Sequence, residues 1–197
     1  MYRFIESIRL NEGEIENLIY HQARVERTFL KYFDGSNPID LNQYLLTCPF
    51  PSVGLHKIRL VYDRAIQSIL ISSYSSKTIS SLKLVNDDTV KYEYKYEDRG
   101  KLKTLFDQRQ LCDEVIITKD GFITDSSVAN LVFKRKDKWL TPFTYLLNGT
   151  QRQFLLDQKI IEEEKITIND LHRYEKVKLI NAMLKFDAPE ISINQIV

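Results

Sequence analysis

The chain has 197 residues, 28 basic and 27 acidic side chains, a formal net charge of +1 and 43% hydrophobic residues. This balance is typical of a globular protein, so it excludes extended disorder and argues against a dedicated surface for nucleic acid or acidic membranes, which needs clustered Lys and Arg. No apolar run approaches the roughly 18 residues of a membrane span and no secretory apolar region follows Met1, so we expect a cytoplasmic protein whose Cys48 and Cys112 are reduced and bind no metal.

The first part of the chain is predicted to form a small α+β domain over residues 1–75. Apolar residues recur at strand spacing in RFIESIRL and at helical spacing after it. The predicted elements, in chain order, are a strand over 3–10, a helix over 14–33, a short helix over 41–46 and paired strands over 56–62 and 65–72. The apolar stripe of the long helix is predicted to consist of Ile15, Leu18, Ile19 and Phe29, which leaves Arg24 outside the core.

A serine-rich stretch, residues 72–81, is predicted to link this domain to a larger one. Six serines in ten positions cannot form a core. The second domain is predicted to span residues 80–197 and to be rich in strands. Its predicted elements are a strand over 82–85, an extended stretch over 90–96, a helix over 101–111, strands over 114–118, 121–124, 130–134 and 139–142, a helix over 151–162, a strand over 165–168, a short helix over 169–174 and a strand over 177–180. The turn Lys119-Asp120-Gly121 is predicted to join the strands over 114–118 and 121–124.

Two polar features of the second domain are candidates for chemistry. Gly149-Thr150 precedes a predicted helix, where backbone N–H groups and the positive end of the helix dipole suit a phosphate, although an ordinary threonine cap is the alternative. Asp125 ends a predicted strand. Its carboxylate can form an Asx turn with the serines that follow it, or it can stabilise the protonated form of a ring nitrogen.

Two basic residues of the chain are further candidates. Lys95 stands between Tyr94 and Tyr96, and strand alternation would put both tyrosines on one side and the lysine on the other. Such a lysine is either solvated or, in an apolar site, able to lose its proton and form a Schiff base with a carbonyl cofactor. Arg24 is either a solvated side chain or one that faces a second domain and grips a phosphate bidentately.

A lysine, an acid, an arginine and a Gly-Thr turn together match the needs of pyridoxal phosphate. That cofactor has an aldehyde to condense, a pyridinium to stabilise and a phosphate to anchor. The joint pattern is more informative than any one of its members.

The order and context of these residues resemble the class IV aminotransferases, a family of pyridoxal-phosphate enzymes that includes branched-chain and D-amino-acid aminotransferases and aminodeoxychorismate lyase. The segment 4–9 resembles the early Phe-Glu-Thr-Ile-Arg strand of the family. His21-Gln22-Ala23-Arg24-Val25 resembles its His-x-x-Arg-Leu helix, whose arginine holds the cofactor phosphate. Lys95, followed by Arg99, resembles the Schiff-base lysine, although other lysines stand nearby.

Three later segments extend the resemblance. Asp125 and Asn130 resemble the acid and the asparagine of the family's Glu-x-x-x-x-Asn-Leu-Phe signature, and the segment 149–152 resembles its Gly-Ile-Thr-Arg phosphate turn. Ile180-Asn181-Ala182-Met183 resembles the segment that closes the phosphate site, especially the Cys-Asn-Ala of aminodeoxychorismate lyases. The cofactor-binding residues that the resemblance implies are Arg24, Lys95, Asp125, Gly149, Thr150, Gln151, Asn181 and Ala182.

The sequence departs from the family pattern in three places. It begins directly at the first family strand, so we expect a reduced N-terminal domain and substrate pocket. The acid at position 125 is an aspartate instead of a glutamate, and Gly100 stands where many members have a tyrosine that contacts the cofactor ring. Candidates for substrate binding are Arg59 and Tyr94, with a surface strand position as the alternative for Arg59.

The resemblance implies an α+β protein of the two-domain pyridoxal-phosphate fold type IV. The implied activity is transfer of an amino group between an amino acid and a 2-oxo acid through a Schiff base on Lys95. One alternative is an elimination like that of aminodeoxychorismate lyase, which gives 4-aminobenzoate and pyruvate for folate biosynthesis. The other is a cofactor-binding homologue with little catalysis. The implied protein is a homodimer with a small-molecule substrate and no nucleic-acid or membrane partner.

Overall fold

The computed structural model describes residues 2–33, 35 and 37–197. The chain forms two compact units: the first contains the chain up to Ser76 together with Tyr94–Asp98, and the second contains Lys77–Glu93 together with Arg99–Val197. Helices and sheets occur in both units, which confirms the predicted α+β class. The division into two functional domains, at the predicted boundaries, stays a prediction. None of the helices in the described part of the chain is long and apolar enough to span a bilayer.

Most of the predicted elements are present within a few residues of their expected bounds. The elements of the first unit are β1 (Phe4–Asn11), β2 (Glu14–Ile15), α1 (Leu18–Tyr32), α2 (Leu41–Leu46), β3 (Leu55–Tyr62) and β4 (Ile66–Ser73). Those of the second unit are β5 (Leu82–Asn86), α3 (Gly100–Phe106), β6 (Glu114–Lys119), β7 (Phe122–Ser126), β8 (Asn130–Arg135), β9 (Lys138–Pro142), α4 (Thr150–Asp157), β10 (Glu162–Glu164), β11 (Lys176–Ile180) and β12 (Ile191–Ser192). Short 3-10 helices span Asp107–Arg109, Ile168–Arg173 and Ile193–Gln195.

The first unit is built on an antiparallel sheet with the strand order β2-β1-β3-β4. Because side chains alternate along a strand, Phe4, Ile8 and Leu10 of β1 point to the same face, and all three are fully buried. Val25 and Phe29 of α1 belong to the same apolar cluster. This packing holds the buried side of α1 against β1.

The start and the phase of α1 differ from the prediction. Asn17 adopts a left-handed conformation, with φ 55°, and β2 pairs with β1, so the helix begins at Leu18. Ile19 of the predicted stripe is 75% exposed. The buried residues of α1 are His21, Arg24, Val25, Thr28 and Phe29. The prediction that Arg24 lies outside the core was therefore wrong.

The tyrosine-rich stretch over 90–96 is not a strand over most of its length. Its end joins the sheet of the first unit, since the backbone N–H of Ile5 donates to the carbonyl of Lys95 at 2.9 Å and Phe4 forms an isolated bridge with Tyr96. Both Tyr94 and Tyr96 pack against the apolar cluster of this unit, as the alternation predicted. Lys95 is thereby placed beside β1.

The second unit contains a larger sheet with the strand order β10-β9-β8-β7-β6-β5, and β11 pairs with both β8 and β12. The predicted turn between β6 and β7 is confirmed. Asp120 and Gly121 have φ of 51° and 80°, the left-handed values that a tight two-residue hairpin requires. β7 and β8 are joined in register at a single pair, Asp125 opposite Asn130.

Two predicted elements near the end of the chain were wrong. The helix predicted over 151–162 ends at Asp157, and Lys159 then adopts a left-handed φ of 56°. The next strand is β10, which runs parallel to β9, instead of a strand over 165–168. In that range the structure has only an isolated bridge, between Thr167 and Phe122.

Candidate functional site

Asp125 is a buried acid at the end of β7, with 5% of its surface exposed. Its Oδ2 accepts hydrogen bonds from the backbone N–H groups of Leu146, at 3.0 Å, and Leu147, at 2.9 Å, and its Oδ1 accepts one from Nδ2 of Asn130 at 2.8 Å. Burial raises the pKa of this carboxyl from 3.8 to about 6, against the opposing effect of the hydrogen bonds. The turn that follows is held by Oγ of Ser126, so the Asx-turn alternative for Asp125 was wrong.

Asn130 connects Asp125 to the turn that precedes α4. Its Nδ2 donates to Asp125 and also to the carbonyl of Leu147, both at 2.8 Å. Its Oδ1 lies so close to Gly149 that a methyl group on that residue would sit 2.0 Å away from it. Glycine is therefore required at position 149 by this close approach, because no side chain fits beside the amide.

The first turn of α4 is buried and lacks a side-chain cap. Gly149 is the N-cap residue and offers no cap, so the threonine-cap alternative for Thr150 was wrong. Thr150 and Gln151 are 3% and 2% exposed. The first N–H groups of a helix have no acceptor within the helix, and they carry the positive end of its dipole. This turn therefore has the donors that an anion needs.

Arg152 is the largest fully buried side chain of the described residues, with 1% of its surface exposed. Its guanidinium donates to the carbonyl of Pro142 and to the carboxylate of Glu163, and it lies 4.2 Å from the ring centre of Tyr145. Arg152 ends the segment that resembles the phosphate turn of the family, but no role was predicted for it. Its contacts tie α4 to the strand region that ends at Pro142 and to β10.

Asn181 uses its side chain within the protein. Its Oδ1 accepts the backbone N–H groups of Met183, at 2.8 Å, and Leu184, at 2.9 Å, while its Nδ2 donates to the carbonyl of Val128 at 3.1 Å. The side chain thus closes its own turn and joins it to the turn between β7 and β8. Ala182, the next residue, is half-buried.

Arg24 lies in the first unit, in a buried cluster with Glu6 and His21 that was not predicted. Its Nε and Nη2 donate to the two carboxylate oxygens of Glu6, at 2.8 and 2.5 Å, and Nδ1 of His21 lies 2.5 Å from Oε2 of Glu6. Glu6 and His21 have no exposed surface. The sequence did contain a signal for this cluster. Glu6 occupies the same alternating positions of β1 as the buried Phe4, Ile8 and Leu10, so its carboxylate needs a buried partner.

The charges of this cluster are set by its contacts. Burial alone would raise the pKa of Glu6, but the adjacent Arg24 guanidinium and the His21 hydrogen bond lower it to about 2. Burial lowers the pKa of His21, so its imidazole is neutral and donates from Nδ1 to the carboxylate. Within the described residues, Nε2 of His21 has no hydrogen-bond partner.

Lys95, Tyr94 and Arg59 also belong to the first unit. Lys95 is half-buried, and its charge is one of the influences that lower the pKa of His21, after burial. The ring of Tyr94 packs edge-on against Tyr32, with ring centres 5.0 Å apart. Arg59 pairs with Glu97, with Nη2 and Oε1 3.2 Å apart, and its side chain is 35% exposed.

The residues of the second unit fit pyridoxal phosphate. A carboxylate has about four acceptor positions, and Asp125 uses three, so one position on Oδ1 can accept the N–H of a protonated ring nitrogen. Asp125 forms no ion pair among the residues that the structure describes, and the charge of Arg152 is the last of the influences that lower its pKa. A protonated ring nitrogen would therefore supply a direct ionic partner. The first turn of α4 begins after the N-cap residue Gly149 and has no side-chain cap, so its backbone N–H groups suit a phosphate.

The chain is similar to several known proteins. The family profile described as class IV amino-transferase matches residues 102–186, which include Asp125 to Ala182 but neither Arg24 nor Lys95. An uncharacterised protein of Haemophilus influenzae is 37% identical to this chain over 185 residues, which cover 93% of the chain and 98% of that relative.

Two solved structures are similar to the chain. A proposed 4-amino-4-deoxychorismate lyase of Haemophilus somnus 129PT is 34% identical, with a TM-score of 0.84, and the match covers 93% of this chain and 97% of that one. A hypothetical aminotransferase of Mycobacterium tuberculosis, solved in its pyridoxal-phosphate-bound form, is 16% identical, with a TM-score of 0.75 over 96% of this chain and 80% of that one. The second likeness shows the fold alone, and together they confirm the predicted fold type.

Proposed function

Because the chain belongs to the class IV aminotransferase family, we propose that it is a pyridoxal-phosphate-dependent enzyme that acts on an amino acid or another amino-substituted acid. The observation that carries the proposal is Asp125, a buried acid with an open acceptor position and no ion-pair partner among the described residues. Burying an ionised carboxylate without an ionic partner has a high free-energy cost, even when it accepts hydrogen bonds, and a protonated ring nitrogen would be such a partner.

The proposed roles divide among the residues named above. Lys95 supplies the amine that bonds covalently to the carbonyl of the cofactor. Asp125 accepts the hydrogen bond of the ring nitrogen and favours its protonated form. The residues proposed to hold the phosphate are Arg24, Gly149, Thr150, Gln151, Asn181 and Ala182. Since the side chain of Asn181 is engaged within the protein, its proposed contribution is to shape the turn.

When bound, pyridoxal phosphate supplies a conjugated ring that accepts the electrons left when a bond to the amine-bearing carbon breaks. Lys95 has a second proposed role. Its neutral amine can accept a proton from the substrate at Nζ and then donate that proton to another atom. Asp125 must be ionised for its own task. With its pKa near 6, it is ionised at neutral pH.

Amino-group transfer to a 2-oxo acid is the first candidate reaction. In this reaction Lys95 must donate the proton that it accepted from the substrate to a different atom from the one that lost it. The proposed substrate contacts are Arg59, which could bind a carboxylate, and Tyr94. Both residues are partly buried in the first unit, as substrate-facing residues need to be.

Elimination of pyruvate from aminodeoxychorismate, with release of 4-aminobenzoate, is the second candidate. The observation that favours it is the 34% identity, over nearly the whole length of both chains, to the proposed lyase of Haemophilus somnus 129PT. In this reaction the loss of a proton from the amine-bearing carbon is followed by cleavage of the bond to the group that leaves as pyruvate. No 2-oxo acid is needed as an amino acceptor. For either reaction we propose a homodimer acting on a small molecule.

The purified full-length protein with added pyridoxal phosphate tests the proposal. We expect a visible absorbance band, and borohydride treatment should add the mass of the reduced cofactor to the peptide that contains Lys95. Lys95→Ala should abolish both signals, whereas Lys91→Ala and Lys103→Ala, changes at two exposed lysines nearby, should leave them intact. A protein that stays colourless, or a label on another lysine, would overturn the assignment.

The same preparation distinguishes the two reactions. Single amino acids should bleach the band, and a 2-oxo acid should restore it, if the enzyme transfers amino groups. Release of pyruvate and 4-aminobenzoate from aminodeoxychorismate without any 2-oxo acid would establish elimination instead. A Lys95-dependent band with neither reaction would identify a cofactor-binding homologue with little catalysis.

A further inference from the structure

We propose that Asn130 is a positioning residue that ties the acid for the cofactor ring nitrogen to the turn for the cofactor phosphate. The inference rests on the proposed function and adds a role for a residue outside the proposed contact set. Asn130 begins β8, Asp125 lies near the end of β7 and Gly149 precedes α4. One amide side chain therefore contacts the two groups proposed to bind opposite ends of the same cofactor.

A closed ring of hydrogen bonds joins these groups. Nδ2 of Asn130 donates to Oδ1 of Asp125 and to the carbonyl of Leu147, and the N–H of Leu147 donates back to Oδ2 of Asp125. Both hydrogens of the amide are used, at 2.8 Å each. The amide plane is therefore fixed, because any rotation breaks at least one of the two bonds.

The third contact is steric. Oδ1 of Asn130 occupies the place that a side chain at position 149 would take, 2.0 Å from an added methyl group. A flexible side chain could move aside, but this amide cannot do so without losing its bonds to Asp125 and Leu147. The position of the backbone at Gly149 is thus set by the same group that orients Asp125.

The alternative is that Asn130 only stabilises the fold, as any buried hydrogen-bonded side chain does. The two roles differ in what they predict for the cofactor. If Asn130 is a positioning residue, its substitution changes the pKa of Asp125 and the affinity for the cofactor phosphate. If Asn130 is purely structural, its substitution lowers the stability of the fold, and the molecules that remain folded bind the cofactor as the wild type does.

The first measurement compares affinities for pyridoxal phosphate and for pyridoxal, which lacks the phosphate, by titration of the Lys95-dependent band. Asn130→Ala should weaken pyridoxal phosphate binding about tenfold, the effect of losing one hydrogen bond to a charged group, and should reduce the preference for the phosphorylated form. Thr141→Val is the matched control, because it removes a buried side-chain hydrogen bond to Leu131 in the same unit. The control should keep the wild-type preference.

The second measurement needs no cofactor. Asp125 is followed by carbon NMR in the free protein, where loss of the Asn130 hydrogen bond should raise its pKa above the wild-type value. Asn130→Asp, which has nearly the same size, should raise it further by placing a second carboxylate beside it. In parallel, Gly149→Ala should lower the melting temperature strongly in the wild type and much less in Asn130→Ala, where the obstructing amide is absent.

The outcomes separate this inference from the proposed function. If Asn130→Ala only lowers the melting temperature and keeps both the phosphate preference and the Asp125 titration of the wild type, the positioning role is wrong. If Gly149→Ala lowers the melting temperature equally in the wild type and in Asn130→Ala, the proposed steric contact between Asn130 and position 149 is wrong. If the wild type shows no Lys95-dependent band, the proposed function fails and the cofactor role of Asn130 fails with it, while the two cofactor-free measurements still report whether the hydrogen-bonded ring exists.

Discussion

Asp125 and Glu6 are both buried carboxylates, yet their surroundings shift their acidity in opposite directions. Burial dominates at Asp125 and raises its pKa to about 6, whereas the Arg24 guanidinium overcomes burial at Glu6 and lowers its pKa to about 2. Asp125 has no ion-pair partner among the described residues, whereas Glu6 is paired with Arg24. The two residues therefore make different contributions to stability as pH changes.

Asp125 should make the cofactor-free protein less stable as pH rises. Its folded pKa of about 6 lies above the unfolded value of 3.8, so the folded form holds its proton more tightly and this advantage is lost between about pH 4 and 6. Asp125→Asn removes the titration. We expect the unfolding free energy of the variant, relative to wild type, to improve by roughly 3 kcal/mol between pH 3.5 and 6.5.

Urea denaturation across this pH range measures the difference. Asp120→Asn, a change in an exposed hairpin turn, serves as the control and should show no such trend. A difference between wild type and Asp125→Asn that stays constant with pH would contradict the raised pKa.

Glu6 should stabilise the fold at neutral pH. Its folded pKa lies below the unfolded value of 4.5, so the stabilisation is complete above about pH 4.5 and is lost as pH falls through about 2. Glu6→Gln leaves the buried Arg24 without its counter-ion, and removal of one partner of a buried ion pair costs about 3–5 kcal/mol. Chemical denaturation at pH 7 should show this loss, and the gap to wild type should narrow in acid.

The exposed Glu26 of α1 provides a control for the same substitution. Glu26→Gln should change the unfolding free energy by less than about 1 kcal/mol, because exposed charges contribute little. Equal effects of the two substitutions would show that the ion pair of Glu6 and Arg24 does not support the fold.

Part of the residue-level site could be predicted from the sequence. The resemblance to the family signature singled out Asp125 and Asn130, and the two residues face each other across β7 and β8. The partner of Arg24 could not be found in this way, because Glu6 lies 18 positions earlier and only the packing of α1 on β1 brings the two together. Local spacing predicts contacts across one turn or hairpin but not between packed elements.

At the scale of elements, the turns were predicted well and the helix ends less well. The hairpin at Asp120-Gly121 follows from residue types that tolerate a left-handed backbone. The left-handed Asn17 and Lys159 were not recognised, so α1 was predicted to begin too early and α4 to end too late. The start of α1 mattered most, because Ile15, which lies in β2, was counted in the helix and shifted the predicted apolar stripe toward the exposed Ile19.

The serine-rich segment has a more specific attachment than its composition indicated. Ser80 and Ser81 each donate a backbone N–H and a hydroxyl to one oxygen of Asp113, and these contacts lower the pKa of that carboxyl to about 2. The predicted linker role of residues 72–81 stays a prediction. Its last two residues are nevertheless held against the start of β6 within the second unit.

Loss of this attachment should loosen the segment. Asp113→Ala removes the shared acceptor, so we expect limited proteolysis to cut between residues 74 and 81 several times faster than in wild type. Asp107→Ala, a change at another exposed acid, should leave the cleavage rate unchanged. Identical cleavage in all three proteins would indicate that Asp113 does not restrain the segment.

At the scale of the whole molecule, the proposed homodimer is open to direct measurement. Light scattering coupled to size-exclusion chromatography should give a mass twice that of the single chain. We expect dilution to lower the apparent affinity for pyridoxal phosphate if subunit contacts support the cofactor site, because binding and association are then linked. A single-chain mass at the highest soluble concentration would contradict the proposal.

The position of Tyr94–Asp98 has a consequence for how the protein is made. These residues complete the first unit, although the residues on both sides of them belong to the second. A growing chain that has reached only Ser76 therefore lacks the hydrogen-bonded neighbour of Ile5 and the tyrosines that cover Phe4. We therefore expect the first unit to complete its folding during translation only after Asp98 has emerged, and its earlier intermediates to expose part of this aromatic surface.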